Sequence, residues 1–224
     1  MSNTTENAVL DTFKINSNGI FLKEIHIQRS LEALALRNKI FSVHSVAILY
    51  DAIEKANLKK VTSLGRLVID CSTLQSNFTV QLLPSITEPV RLEIIRSLKQ
   101  TSGEGVQNYK WADRAFWNQL LSLKASLADD VLSVNEKDQV VETSRFNIFF
   151  YCSVKAVVFT PPLTSGCIHG TYRRWALQQG FIELPQLGSK PLYEKNIFRE
   201  DIKTYQLFVA NSVRGVLSAV EVSG

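Results

Sequence analysis

The chain has 224 residues, of which 45% are hydrophobic and 21% are charged, and this balance is typical of a folded globular protein. A disordered chain would contain fewer apolar and more charged residues. The formal net charge is +4, but acidic residues interleave with the basic ones, so no basic stripe indicates a nucleic-acid-binding protein. No apolar run reaches the length of a membrane span, which argues against a membrane protein.

The cysteines and histidines predict neither a disulfide framework nor a metal site. The three cysteines are widely spaced without a C-x-x-C pair, and the three histidines lack the spacing of metal ligands. Residues 1–7 are polar and contain no apolar segment of a signal peptide. We therefore expect a reducing, cytoplasmic environment.

Residues 1–100 are expected to form a small N-terminal domain that mixes strands and helices. Turn-forming residues at 16–19 separate two short strands within residues 8–22. Residues 90–97 are apolar and fit either a strand or a short helix, because periodicity does not separate the two. The other predicted elements of this domain are helices at 24–41 and 45–56 and strands at 66–70 and 78–83.

Residues 101–107 (TSGEGVQ) contain one apolar residue and predict a linker, so residues 108–224 form the expected C-terminal domain. This domain begins with a predicted helix at 111–127 and then becomes rich in strands. A second helix at 171–179 is closed by Gly180 as a C-cap. The other predicted elements are strands at 131–134, 139–142, 147–151, 156–159, 206–210 and 216–222 and a short helix at 198–204. The pattern as a whole predicts the α+β class.

Two features of the C-terminal half are candidates for ligand contacts. Gly166 and Gly170–Thr171 flank the beginning of a predicted helix, where free backbone N–H groups can bind an anion. An ordinary loop-to-helix cap would have the same residues. Glu142 ends a hairpin strand in apolar surroundings, where a carboxylate needs a cationic or N–H partner. The alternative is an exposed carboxylate at the end of a strand.

Two further features involve cationic side chains. Lys110 stands between Tyr109 and Trp111, and burial by aromatic rings would lower the pKa of its amine and suit it to covalent and general-base catalysis. The alternative is a surface lysine whose stem packs on Trp111. His26 and Arg29 share one helix face by their spacing, which is equally typical of a solvated face.

The order of these motifs along the chain resembles the class-IV (fold-type IV) pyridoxal-phosphate enzymes over nearly the full length. This family includes branched-chain and D-amino-acid aminotransferases and aminodeoxychorismate lyase. The motifs that carry the resemblance are, in order, Asp11-Thr12-Phe13, His26-x-x-Arg29, Lys110 with Asp113-Arg114, Glu142-x-x-x-x-Asn147-x-Phe149, Thr160-Pro161-Pro162-Leu163, Gly170-Thr171-x-Arg173 and Asn211-Ser212-x-Arg214-Gly215.

The resemblance implies a two-domain fold of the D-amino-acid aminotransferase type with pyridoxal 5'-phosphate (PLP) as cofactor. It implies that Lys110 is the Schiff-base lysine and that Glu142 keeps the pyridine nitrogen protonated, which makes the ring an electron sink. It further implies phosphate binding by Arg29 and by the backbone of Gly170 and Thr171. Other implied contacts of the cofactor are Asn147 and Ser212, and implied contacts of the substrate are His26 and Arg214.

Three functions follow as hypotheses. The first is a lyase that converts 4-amino-4-deoxychorismate to p-aminobenzoate and pyruvate in folate precursor synthesis. We favour it because the compact chain resembles short lyase-like members and lacks evident carboxylate-clamp motifs of amino-acid aminotransferases. The second is an aminotransferase of branched-chain or D-amino acids, and the third is a non-catalytic interaction module with this fold. The resemblance also implies a homodimer acting on a small anionic amine.

Overall fold

The computed structural model describes residues 7–37, 41–57, 62–73, 75–97 and 102–222. The chain divides into two compact units. The N-terminal unit comprises Met1–Ser85 together with Tyr109–Arg114, and the C-terminal unit comprises Ile86–Asn108 and Ala115–Gly224. The predicted linker therefore does not mark the division, because the chain changes unit after Ser85 and residues 109–114 return to the first unit.

The N-terminal unit is a four-stranded antiparallel sheet in the order β2-β1-β3-β4 with two helices. Its elements are β1 (Ala8–Asn16), β2 (Gly19–Ile20), α1 (Lys23–Ala35), α2 (Val43–Asn57), β3 (Ser63–Asp70) and β4 (Ser76–Leu82). They confirm the two predicted helices and four predicted strands, although α1 ends earlier than expected and residues 38–40 lie outside the described residues.

Alternation along β1 places its two sets of side chains on opposite faces of the sheet. Val9, Phe13 and Ile15 belong to the buried cluster that also contains helical residues such as Leu34 and Tyr50. Asp11 shares their parity and is buried with them. Thr12 has the opposite parity, so it lies on the other face of the sheet.

The C-terminal unit is built on a nine-stranded mixed sheet in the order β10-β11-β9-β8-β12-β13-β5-β6-β7. Its elements are β5 (Val90–Arg96), α3 (Ala115–Leu123), β6 (Asp130–Val134), β7 (Val140–Thr143), β8 (Asn147–Cys152), β9 (Val157–Thr160), α4 (Thr171–Gln179), β10 (Phe181–Leu184), β11 (Gly188–Glu194), β12 (Gln206–Asn211) and β13 (Gly215–Glu221). Short 3-10 helices occur at Val106–Asn108, Leu163–Ser165 and Arg199–Thr204. The core of this unit is a continuous aliphatic and aromatic cluster that includes Leu132, Ile148, Phe150 and Val209.

Three differences from the sequence prediction have physical causes. The ambiguous segment 90–97 is a strand, because β5 is an inner strand of the sheet that pairs in parallel with both β13 and β6. The helix expected at 111–127 begins only at Ala115, because the preceding residues pair with β1. β10 and β11 were not predicted, because β10 is only four residues long and most side chains of β11 are exposed.

The C-cap prediction at Gly180 is confirmed. Gly180 has φ 78° and its N–H donates to the carbonyl of Leu177, which ends α4. The left-handed conformation favours glycine because it has no Cβ, so the chain can turn directly from α4 into β10.

Candidate functional site

Lys110 is held against β1 by backbone hydrogen bonds. The N–H of Leu10 donates to the carbonyl of Lys110 over 2.9 Å, and the N–H of Ala112 donates to the carbonyl of Ala8 over 2.8 Å. The half-buried Lys110 side chain donates from Nζ to Oγ1 of Thr12 at 2.6 Å. Its backbone and its amine are therefore both fixed by neighbouring residues of one strand.

The pKa of Lys110 is strongly perturbed. Burial, and next the positive charge of Arg29, lower it from 10.5 to about 7, with smaller effects from Arg114 and Arg66. Among the largest effects, the negative charge of Asp11 opposes these cations. A large fraction of Lys110 is thus a neutral amine near pH 7, which is the form needed for nucleophilic attack and for accepting a proton.

A buried polar network surrounds the carboxylate of Asp11 in the same unit. His26 Nδ1 lies 2.8 Å from Asp11 Oδ2, the Tyr50 hydroxyl donates to that oxygen at 2.6 Å, and Arg29 Nη2 donates to Oδ1. Tyr50 also contacts the Ser30 hydroxyl at 2.8 Å. The network joins β1, α1 and α2, because its members come from all three elements.

Titration within this network follows from its burial. Burial by itself would raise the pKa of Asp11, but His26 and Arg29 outweigh this effect and hold that pKa well below its usual range. Burial lowers the pKa of His26, and Asp11 offsets only part of the shift. His26 is therefore neutral near pH 7, and its Nδ1–H donates to the carboxylate, because a carboxylate only accepts.

Glu142 and Asn147 meet at the junction of two strands of the C-terminal unit. Glu142, in β7, is 2% exposed, so its carboxylate lies in the interior. Asn147 begins β8 and donates from Nδ2 to Glu142 Oε2 at 3.2 Å and to the Ile168 carbonyl at 3.2 Å. One amide therefore links the buried carboxylate to the loop that precedes α4.

The beginning of α4 is packed directly against Asn147. Gly170 is the N-cap, and no side chain caps the helix there. A Cβ at Gly170 would overlap Asn147 Oδ1 and lie 3.0 Å from Cγ, so only glycine leaves room for this amide. The first N–H groups of a helix have no intrahelical acceptor, and with the helix dipole they favour an anion. Thr171, 2% exposed, adds its hydroxyl at this end.

Ser212 and Arg214 lie in the hairpin between β12 and β13. The Asn211 side chain shapes this turn, since its Oδ1 accepts the N–H groups of Val213 and Arg214, and its Nδ2 donates to the Arg145 carbonyl. Ser212 is buried and Arg214 is half-buried. Burial and the charge of Arg145 lower the pKa of Arg214.

The candidate residues from the sequence thus fall into two groups. Lys110, Arg29 and His26 share the network of the N-terminal unit, in which the charges of Arg29 and Asp11 act on Lys110. The C-terminal unit holds the other group, which comprises Glu142, Asn147, Gly170, Thr171, Ser212 and Arg214. His26 is fully buried and uses Nδ1 on Asp11, so its expected contact with the substrate stays a prediction.

Sequence reasoning assigned no role to Thr12, Asp11 or Tyr50. The alternation of side chains along β1 could have assigned the first two to opposite faces of the sheet, because Thr12 faces away from the helices while Asp11 faces them. A charged residue among inward-facing apolar residues needs buried partners. Tyr50 offered no local signal, since its contact with Asp11 spans 39 positions of the chain.

Two absences concern only the part of the chain that the structure describes. There, no group of three or more His, Cys, Asp or Glu side chains is placed to hold a metal ion. Among the same residues, no helix is long and apolar enough to cross a membrane.

The sequence model of the amino-transferase class IV family matches residues 8–222. A search of curated proteins finds no significant match. Among solved structures, a proposed amino-acid aminotransferase from Mesorhizobium loti aligns with TM-score 0.79 and 22% identity over 96% of this chain and 99% of its own. A hypothetical aminotransferase from Mycobacterium tuberculosis in its PLP-bound form aligns with TM-score 0.76 and 15% identity over 100% of this chain and 82% of its own.

A 4-amino-4-deoxychorismate lyase from Pseudomonas aeruginosa aligns with TM-score 0.72 and 14% identity over 96% of this chain and 83% of its own. At such identities the likeness shows the fold alone, and aminotransferases and a lyase share it. The fold is therefore that of the fold-type IV enzymes. Since the family's sequence model covers nearly the whole chain, the protein belongs to the class IV aminotransferase family, whose enzymes depend on PLP.

Proposed function

We propose that this protein is a PLP-dependent lyase that converts 4-amino-4-deoxychorismate to p-aminobenzoate and pyruvate, a step of folate precursor synthesis. The observation that carries the proposal is the contact of Lys110 Nζ with the Thr12 hydroxyl, together with the pKa of Lys110 near 7. This pair combines an amine that can accept a proton with an adjacent hydroxyl that can pass one on.

Within each unit, the side chains named above have the chemistry that the cofactor needs. Lys110 would hold it covalently through Nζ, and Glu142 would accept the N–H of its pyridine ring. The N-terminus of α4 at Gly170–Thr171 and the guanidinium of Arg29 would bind its phosphate. Asn147 and Ser212 would complete its surroundings, with Asn147 acting through Glu142. When bound, the protonated ring supplies an electron sink for the reacting carbon.

Lys110 then carries the proton transfers of the elimination. Its free amine takes the proton from the ring carbon that bears the substrate nitrogen. The carbon–oxygen bond to the enolpyruvyl group breaks, the six-membered ring becomes aromatic, and the departing enol takes up one proton to give pyruvate. Thr12 Oγ1, 2.6 Å from Nζ, lies within reach to relay that proton. No external oxidant or reductant is needed, because the two products together have the atoms of the substrate.

The charges near Lys110 favour an anionic substrate. Arg66 in β3 is the direct cross-strand partner of Thr12, so the two side chains lie on the same face of the sheet. Arg66 and Arg114 both act electrostatically on Lys110. We propose that Arg66 attracts a carboxylate of the substrate to the neighbourhood of the lysine amine, and aminodeoxychorismate carries two carboxylates.

The first experiment tests the cofactor chemistry. The protein is incubated with PLP and reduced with borohydride, and the labelled peptide is mapped by mass spectrometry. We expect the pyridoxyl mass on Lys110, no label in Lys110→Ala, and normal labelling in Lys155→Ala, which removes an exposed lysine. If the wild-type protein takes no label, the enzyme proposal is wrong and the interaction module remains.

The second experiment separates the two enzymatic reactions. The activity of the PLP-loaded protein, without borohydride reduction, is measured with aminodeoxychorismate and, in parallel, with branched-chain and D-amino acids plus 2-oxoglutarate or pyruvate. Formation of p-aminobenzoate and pyruvate supports the lyase. Amino-group transfer without p-aminobenzoate would overturn it in favour of the aminotransferase, in which Lys110 would perform both proton transfers.

A further inference from the structure

The carboxylate of Asp11 is the centre of the polar network in the N-terminal unit. It is 1% exposed and accepts hydrogen bonds from Arg29, from His26 and from the Tyr50 hydroxyl. It also accepts the backbone N–H of Thr12 at 2.9 Å through Oδ1. Four donors satisfy the ion, which explains how a charge can stay in an apolar interior.

Asp11 contacts both parts of the proposed chemistry in this unit. Its Oδ1 takes the N–H groups of Arg29 and of Thr12. The Thr12 hydroxyl accepts a hydrogen bond from the amine of Lys110. Leu10, which precedes Asp11 in the strand, donates its N–H to the Lys110 carbonyl. Three consecutive residues of β1 therefore fix the arginine, the partner of the amine and the backbone of the lysine.

We propose that Asp11 is a positioning residue that holds Arg29 and Lys110 in fixed relation to one another. This inference rests on the proposed function, because it assigns Arg29 to the phosphate and Lys110 to covalent attachment. Asp11 touches neither cofactor nor substrate in this role. It orients the Arg29 guanidinium and accepts the backbone N–H of Thr12. One buried anion therefore fixes the position of the phosphate-binding arginine relative to the reactive amine.

The remainder of the network supports a role beyond packing. His26 is fully buried, and its Nδ1 is hydrogen-bonded to Asp11. Its Nε2 has no hydrogen-bond partner in the described part of the chain. An arrangement selected only for stability would favour a fully satisfied set of polar groups. The charged groups that act on Lys110 are Arg29 from α1, Asp11 from β1, Arg66 from β3 and Arg114 from the chain after the lysine. Of these four side chains, Asp11 is the anion.

Two variants of Asp11 separate its charge from its position. Asp11→Asn keeps the shape and removes the charge, whereas Asp11→Glu keeps the charge and displaces the carboxylate by one methylene. Ser30→Ala is the matched control, since it removes a hydroxyl that contacts Tyr50 without touching the carboxylate. If Asp11→Asn does not fold, Asp11→Glu still carries the test.

The first readout is discrimination between PLP and pyridoxal, which lacks the phosphate. The dissociation constant of pyridoxal divided by that of PLP measures how strongly the protein binds the phosphate. We expect this ratio to fall about tenfold in Asp11→Asn and in Asp11→Glu, because a misaligned guanidinium loses charge-assisted hydrogen bonds. Ser30→Ala should keep the wild-type ratio even where its urea midpoint falls.

The second readout needs no cofactor. The acetylation rate of Lys110 in the apo protein is followed against pH by mass spectrometry. Asp11 stabilises the ammonium form, so its loss in Asp11→Asn should move the midpoint about one pH unit lower, while Asp11→Glu stays near the wild type. If folded variants of Asp11 keep the wild-type ratio of dissociation constants and the wild-type acetylation midpoint of Lys110, Asp11 contributes only to packing and the inference is overturned.

The two readouts also separate this inference from the proposed function. A wild-type protein that attaches no PLP refutes the proposed function, whereas the labelling of apo Lys110 still decides whether Asp11 acts on the amine. Attachment by the wild type with no change in either Asp11 variant refutes the inference alone.

Discussion

Replacing Gly170 with alanine tests how the buried carboxylate and the beginning of α4 are joined. Gly170 has φ −63° and ψ 137°, which alanine adopts without strain, so the effect of the substitution comes from the added Cβ. That Cβ would overlap Asn147 Oδ1 and lie 3.0 Å from Cγ. Asn147 must therefore move and give up its contacts with Glu142 and Ile168, both at 3.2 Å.

The expected cost follows from these two hydrogen bonds. A bond to a charged group contributes about 1.5–3 kcal/mol and a neutral one about 0.5–1.5 kcal/mol. Gly170→Ala should therefore lower the free energy of unfolding by about 2–4 kcal/mol. Since the substitution also disturbs Glu142, it should weaken the binding of PLP as well.

The assay is a double-mutant cycle measured by urea unfolding of the apo protein. Asn147→Ala removes the same two contacts and leaves space for a Cβ at position 170. The double variant should thus be about as stable as Asn147→Ala alone, with a coupling energy of about 2 kcal/mol. A Gly170→Ala protein as stable as the wild type, or a strictly additive cycle, would refute the reasoning.

Four further predictions can be checked with standard measurements. The pKa of Lys110 is lowered, chiefly by burial, to about 7, so above that pH the unfolded chain binds more protons than the folded protein does. The free energy of unfolding of the apo protein should therefore rise from pH 7 toward 10, by at most about 1.4 kcal/mol per pH unit. Urea midpoints measured against pH should show this rise in the wild type and not in Lys110→Met. Glu142→Gln should keep the borohydride label on Lys110 but reduce kcat about a hundredfold or more, because an amide holds a protonated ring poorly; unchanged kcat would contradict its role. Arg66→Gln should raise KM several-fold with little change in kcat, as expected for an exposed carboxylate contact. Leu132→Ala, fully buried in the core of the C-terminal unit, should cost about 2–5 kcal/mol in urea unfolding.

Much of the fold was accessible from local patterns. Alternation in β1 and the strands of the C-terminal unit, the turn at residues 16–19 and the cap at Gly180 depend on neighbouring residues, so the sequence predicted them. The order of Arg29, Lys110 and Glu142 along the chain likewise indicated the family, because a motif order is a property of the sequence itself.

The remaining features depend on contacts between distant segments. Residues 90–97 became a strand only through pairing with β6 and β13, and residues 110–112 became extended only through pairing with β1. The boundary between the units moved for the same reason.

The chemistry of the site shows the same division. The sequence by itself determined which side chains are available, and it placed Lys110 among aromatic neighbours. Only the tertiary structure decided that Lys110 meets Thr12 and that Asp11 meets Arg29, His26 and Tyr50. A pKa depends on burial and on charges brought together from β1, α1 and β3, and no local pattern specifies that environment.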